Sequence, residues 1–136
     1  MLQGLAHVRY QAADLPAARR WYTELLGVEP YFERPGYVEF RVGDFRQELG
    51  LVDARYVSEL GAHGTAEAGG AVVSWHVEDL PAALARLSAM GAREHEPARD
   101  FGEGFVGASV LDPFGNVLGI MHNPNYLDVL AETGKG

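Results

Sequence analysis

Five residues occur twice in this chain. Asp14-Leu15-Pro16-Ala17-Ala18 returns letter for letter as Asp79-Leu80-Pro81-Ala82-Ala83, 65 residues later. A repeat at such a spacing marks a duplicated supersecondary unit, and each copy must bury its apolar surface. Both copies also sit at the same kind of place. The Asp can cap free N–H groups, and the Pro falls in the first turn, where no N–H is needed. Leu15, Ala18, Trp21, Tyr22, Leu25 and Leu26 follow at helical spacing to a stop at Gly27. The second copy runs in the same way to about Met90 and Gly91.

Strand-like segments surround both helices. Before the first helix, 5–11 has β-type composition; after it come 29–34, 36–43 and 46–52, punctuated by Pro35-Gly36 and Gly43-Asp44. Before the second helix lies 72–78; after it come 93–99, 104–111 and 116–122. The pattern predicts an α+β protein of two βαβββ modules, at 4–53 and 70–124, within one domain spanning 1–136. Residues 54–69, with Gly61, Gly64, Gly69 and Gly70, read as a linker. The tail 125–136 is expected to start helically, from Tyr126 to Leu130, and then to fray.

One module leaves a sheet face bare. Two modules can curve their sheets around a shared concave surface, which is the kind of place ligands occupy. Between the last two predicted strands stands Leu111-Asp112-Pro113-Phe114-Gly115-Asn116-Val117-Leu118-Gly119-Ile120. Pro113 presets φ, Gly115 accepts φ > 0, and the Asp112 and Asn116 side chains can bond local backbone, so this is a hairpin turn.

Asp-Pro-Phe-Gly-Asn and the duplicated Asp-Leu-Pro-Ala-Ala together resemble the vicinal-oxygen-chelate superfamily, which contains glyoxalase I, bleomycin-resistance proteins and extradiol dioxygenases. The resemblance spans His7 to Pro124. It implies a curved mixed sheet around a cavity: the glyoxalase/bleomycin-resistance/dioxygenase fold. It also implies a divalent-metal site in metal-using members, with one ligand on the first and one on the last strand of each module. In this chain those positions hold His7, Gly50, Val72 and Gly119. Only His7 offers a donor atom, and catalytic zinc usually takes three protein ligands. The expectation is therefore no metal at these positions and no cofactor. A displaced site remains the sharper alternative: His7, Glu48 and His76 share the cavity-facing parity of those positions, but each shift of two residues moves a donor about 6–7 Å along its strand.

The same parity gives the expected cavity wall: His7, Arg9, Glu48, Gly50, Val72, Ser74, His76, Val117, Gly119 and Met121. The two glycines are read as leaving room for an organic ligand where relatives place a carboxylate. Against this, Arg9 and Glu48 can form a cross-strand ion pair, His76 can be a satisfied interior histidine, and Trp21 and Trp75 are expected in the sheet–helix layer. Glu48 with His76 is a conceivable acid–base pair.

Composition narrows the partners. Asp and Glu number 19 against 11 Lys and Arg, a formal charge of −8. Such a chain repels nucleic acid and anionic membrane unless its basic residues cluster, and no more than two are adjacent. The absence of cysteine removes disulfides, thiolate catalysis and thiolate zinc sites. No apolar run reaches the length of a membrane span, and Met1-Leu2-Gln3-Gly4 lacks a signal peptide's basic and apolar regions. A cytoplasmic protein is expected, assembled as a homodimer that covers open sheet edges. The function reading is metal-independent binding or sequestration of a small organic molecule. The alternatives are a glyoxalase-like lyase or isomerase, or a dioxygenase, with a relocated divalent metal, and a mainly structural or partner-binding module.

Overall fold

A computed structural model describes residue 1, residues 3–56 and residues 72–134. The chain divides into two compact units, residues 1–70 and 71–136. The first carries one α-helix and the second two, each with one four-stranded mixed sheet, so the fold is α+β with two βαβββ modules. Most of the expected 54–69 linker lies outside the described residues, apart from a single 3₁₀ turn at Ala54–Tyr56.

The first unit runs β1 (His7–Ala12), α1 (Leu15–Leu26), β2 (Phe32–Arg34), β3 (Tyr37–Val42) and β4 (Gln47–Asp53), in sheet order β1-β4-β3-β2. The duplicated motif starts its helix as the residue types dictate. Asp14 Oδ1 accepts from Ala17 N–H at 3.0 Å, Pro16 lies in the first turn, and Gly27 ends the helix in the left-handed region with φ 70°. Alternation along the strands then sorts the side chains. Tyr10, Ala12, Val38, Phe40, Val42, Leu49 and Leu51 turn to one face and are buried, as are Leu15, Ala18 and Tyr22 of α1. Burying seven such side chains on one strand face fixes the register, because a slip of one residue would turn them all to the other side. The opposite face consequently carries His7, Arg9, Gln11, Tyr37, Glu39, Arg41, Glu48, Gly50 and Val52.

The second unit repeats the plan: β5 (Ser74–His76), α2 (Leu80–Ala89), β6 (Arg93–Gly102), β7 (Phe105–Leu111) and β8 (Val117–His122), in order β5-β8-β7-β6. Asp79 Oδ1 accepts from Ala82 N–H at 3.0 Å, the same cap at the same length. Leu80, Leu87, Ala92, Val110, Leu118 and Ile120 form its core. Between β7 and β8, buried Asp112 accepts from Phe114 N–H (2.9 Å), Asn116 N–H (2.8 Å) and Asn116 Nδ2 (3.0 Å), and Gly115 stands at φ 92°. The turn therefore forms by the side-chain-to-backbone bonding its residues imply.

Several boundaries differ from the sequence reading, among them β1, which is His7–Ala12 rather than 5–11, and β2, which is Phe32–Arg34 rather than 29–34. β5 is shorter than 72–78, which leaves Val72 before the strand and 55% exposed. β6 continues to Gly102; it is the edge strand, exposed throughout and irregular in register, so Pro97 removes no needed ladder bond. The final helix, α3 (Pro124–Glu132), is longer than Tyr126–Leu130 because Asn123 Oδ1 caps it from Tyr126 N–H at 3.1 Å, ahead of Pro124.

Candidate functional site

On the first unit's sheet, the face turned away from α1 brings four polar side chains together from three adjacent strands. β1 lies parallel to β4 with His7 opposite Glu48 and Arg9 opposite Gly50. β3 lies antiparallel on the other side of β4, with Glu39 opposite Gly50 and Arg41 opposite Glu48. His7 Nδ1 and Glu48 Oε1 are 3.1 Å apart, each side chain about one-third exposed. Tyr37 Oη donates to Glu39 Oε1 at 2.6 Å. One ligand-type atom each from His7, Glu39 and Glu48 lies within 4.8 Å of the others. Burial, then the hydrogen bond to Glu39, pushes the Tyr37 phenol well above its ordinary range. It therefore stays protonated and remains a donor to the carboxylate.

The glycine at the centre of this cluster has a purely steric reason. Gly50 is not in the left-handed region. A Cβ placed on it would stand 2.7 Å from Tyr37 Oη, 2.9 Å from Tyr37 Cε1 and 3.1 Å from His7 Cε1. The aromatic ring of Tyr37 lies over the glycine. In the second unit, a Cβ on Gly119 would stand 2.6 Å from Ser74 Oγ and 2.8 Å from the Val73 carbonyl oxygen. The expectation that both glycines leave open room for a ligand is thus corrected. The space beside each Cα is already filled, by Tyr37 in one unit and by Ser74 and the Val73 backbone in the other.

Register makes the two units comparable position by position. Gly50 lies between Arg9 and Glu39, and Gly119 between Ser74 and Ser109. Gly119 is therefore the counterpart of Gly50, as the sequence pairing of Leu49-Gly50-Leu51 with Leu118-Gly119-Ile120 suggested. Glu39 thus corresponds to Ser109, and two residues earlier on the neighbouring strands His7 and Glu48 correspond to Val72 and Val117. Among the described residues, the donor-rich cluster belongs to the first unit alone.

Of the other sequence-selected residues, Ser74 faces Gly119, and His76 is opposite Met121 on β8. His76 Nδ1 accepts from Asn123 N–H at 3.1 Å, and its ring stacks on Tyr126 at 4.6 Å and 15°. That nitrogen is committed to the start of α3. Val117 stands opposite Leu111 and Met121 opposite Gly107, on the same sheet. Trp75 is paired with Ile120, on the face that carries the apolar core. The anticipated Arg9–Glu48 ion pair does not form; Glu48 pairs with His7, and Arg9 has no ion pair among the described residues. Glu39 and Tyr37 were missed. The signal was present in Tyr37-Val38-Glu39-Phe40-Arg41, whose alternation sends Tyr37, Glu39 and Arg41 to one face, but only pairing with β4 brings that face beside His7. A separate depression of about 190 Å³ lies in the second unit, lined by Leu84, Ser88, Ala92, Glu94, Glu96 and Val110 among others.

The superfamily's metal needs donors at His7, Gly50, Val72 and Gly119. These residues do not fit it: three have no donor side chain, and the neighbours of the two glycines occupy the place a ligand side chain would enter.

No curated protein matches the chain. Among solved structures it is similar to a glyoxalase-related enzyme from Fulvimarina pelagi, at 25% identity over 90% of each chain and a TM-score of 0.71. It is also similar to a lactoylglutathione lyase from Agrobacterium tumefaciens, at 24% identity over 90% of this chain and 95% of that one, TM-score 0.65. A glyoxalase/bleomycin resistance protein/dioxygenase family enzyme from Burkholderia phytofirmans PsJN aligns over 88% of this chain and 98% of its own, at 16% identity and a TM-score of 0.69. Residues 4–120 match the sequence profile of one family, and with the duplicated βαβββ units they settle the assignment: the chain belongs to the Glyoxalase/Bleomycin resistance protein/Dioxygenase superfamily.

Proposed function

We propose that this protein binds or sequesters a small organic molecule, without the metal centre of its superfamily. The observation that carries this reading is Tyr37 lying over Gly50 where a metal-ligating side chain would project. The binding surface is the polar face of the first unit, with His7, Arg9, Glu48 and Gly50. Arg9, exposed and without an ion pair among the described residues, is the natural partner for a carbonyl or carboxylate of the ligand. The protein works as a cytoplasmic homodimer, with nucleic acid and membrane as no part of its partners. The open edges of β1 and β6 support an assembly that covers them.

A second reading is an enzyme: a lyase or isomerase of glyoxalase type, or a dioxygenase, with a relocated metal. The clustering of His7 and Glu48, now with Glu39, favours it.

A thermal-shift screen of aromatic and carbonyl-bearing fragments, run with EDTA and then with added divalent metal, separates the two. Fragments that stabilise the protein in EDTA, and lose at least tenfold in affinity on Arg9→Ala, support the binding reading. Stabilisation that requires metal transfers the case to the enzyme. No stabilisation in either condition leaves a structural module.

A further inference from the structure

The partners of two neighbouring histidines in the second unit fix their tautomers. His76 Nδ1 faces the Asn123 backbone N–H at 3.1 Å; an N–H only donates, so this nitrogen carries no proton. His122 Nδ1 faces the Val77 carbonyl oxygen at 3.3 Å; a carbonyl only accepts, so that nitrogen is protonated. The two rings stand 5.4 Å apart. His76 is thus a neutral ring whose acceptor nitrogen is engaged by the residue that caps α3. We propose that His76 is a pH-sensitive latch on α3: its neutral ring holds the start of the helix to the second unit, and protonation of the ring releases it.

α3 is lightly packed. None of its residues is buried; Tyr126, Leu127 and Leu130 are half-buried and Val129 is exposed. Its start is anchored through Asn123, whose N–H goes to His76, whose Oδ1 accepts from Tyr126 N–H at 3.1 Å, and whose Nδ2 lies 3.6 Å from Met121 Sδ on β8. Tyr126 in turn stacks its ring on His76 at 4.6 Å and 15°. The cap residue and the first aromatic of the helix therefore rest on one imidazole.

A second ring proton reverses this contact. It sets His76 Nδ1–H against Asn123 N–H, two donors face to face. The new charge also stands at the N-terminus of α3, the positive end of the helix dipole, where a cation is disfavoured. The titratable groups whose rings meet His76 are His122 from β8 and Tyr126 from α3. Protonated His122 adds a like charge, whereas the Tyr126 ring face attracts a cation. Stacking tolerates a small shift of the ring, but the bond from Asn123 requires an unprotonated nitrogen, so release wins. The charged residues of α3, Asp128 and Glu132, are exposed. Because the docked helix disfavours the protonated ring, docking is complete above the imidazole range and is lost as pH falls through it, between about pH 8 and 5. Release uncovers His76 and Met121 on the second unit's sheet.

Amide hydrogen exchange by NMR on the full chain, corrected for the intrinsic pH dependence of exchange, reads the latch. Residues 127–132 are expected to lose at least tenfold in protection across this range while strand residues 107–110 and 118–121 keep theirs. The midpoint of that loss should coincide with the titration of the His76 ring, followed by its carbon-bound protons. His76→Gln, whose side-chain oxygen still accepts but does not titrate, should abolish the pH dependence, and His122→Gln should retain it. Ring nitrogen chemical shifts of the parent protein at the alkaline end should show His76 unprotonated at Nδ1, a readout that needs no variant. Protection of α3 that does not change with pH, a loss that persists in His76→Gln or vanishes in His122→Gln, a loss shared equally by the strands, or a proton on His76 Nδ1 at the alkaline end overturns the latch.

Discussion

Replacing Gly50 with alanine adds one methyl group where the ring of Tyr37 lies against β4. The new Cβ would stand 2.7 Å from Tyr37 Oη and 2.9 Å from its Cε1, well inside van der Waals contact. Tyr37 cannot rotate away freely, since its hydroxyl is bonded to Glu39 at 2.6 Å and its ring stands 6.4 Å from that of Phe32. Overpacking of this kind costs about 1–3 kcal/mol. Breaking a hydrogen bond to a carboxylate costs about 1.5–3 kcal/mol in full, to be discounted here because the pair is only partly buried. Against these, the lower backbone freedom of unfolded alanine returns about 0.5–1 kcal/mol. The balance is a loss of about 2 kcal/mol, which for a chain of this length lowers the melting temperature by about 6–10 °C. A double-mutant cycle with Tyr37→Leu isolates the cause. In the Tyr37→Leu background the Gly50→Ala cost should fall to about zero, leaving a coupling of about 2 kcal/mol by urea denaturation. Equal costs in the two backgrounds would refute the close approach of Tyr37 as the reason for the glycine.

Three further outcomes follow from named contacts. Gly119→Ala should destabilise more than Gly50→Ala, by about 3 kcal/mol or more, because one of the atoms its Cβ meets is the Val73 carbonyl oxygen, which cannot rotate aside; calorimetric melting of the two variants ranks them. The Arg55 guanidinium, through its hydrogen bonds to Asp53, holds that carboxyl below its ordinary pKa, so the pair adds stability above about pH 4 and loses it as pH falls through the lowered value. Arg55→Gln should then lower the melting temperature at pH 7 and converge with the parent as the pH falls through that lowered value, and a difference that stays constant with pH contradicts the pairing. Light scattering at micromolar concentration should give twice the 14.8 kDa chain mass, and a monomer would refute the homodimer.

The elements were largely legible because their signals are local. Asp14 and Asp79 cap the helices they begin, and Asp112, Gly115 and Asn116 build the turn their side chains imply. The equivalence of Gly50 and Gly119 was legible too, since it rests on a repeated three-residue pattern. What could not be read was which side chain fills the space beside a glycine. Tyr37 is thirteen residues from Gly50, on another strand, and its alternation gives a face but no neighbour. Glu39 was overlooked for the same reason: the superfamily pattern directs attention to the first and last strands of each module, whereas Glu39 lies on β3. His76 shows the converse error. Parity placed it among possible donors, but Asn123 of the following helix start takes its Nδ1, a contact across 47 residues.

The central question is where a ligand sits on the first unit's polar face. Amide chemical-shift mapping with a fragment that stabilises the protein in the EDTA screen tests this most directly. The largest shifts are expected at His7, Arg9, Glu39, Glu48 and Gly50, with loss of the response on Arg9→Ala. Shifts confined to Leu84, Ser88, Ala92 and Val110, around the depression on the second unit, would contradict it.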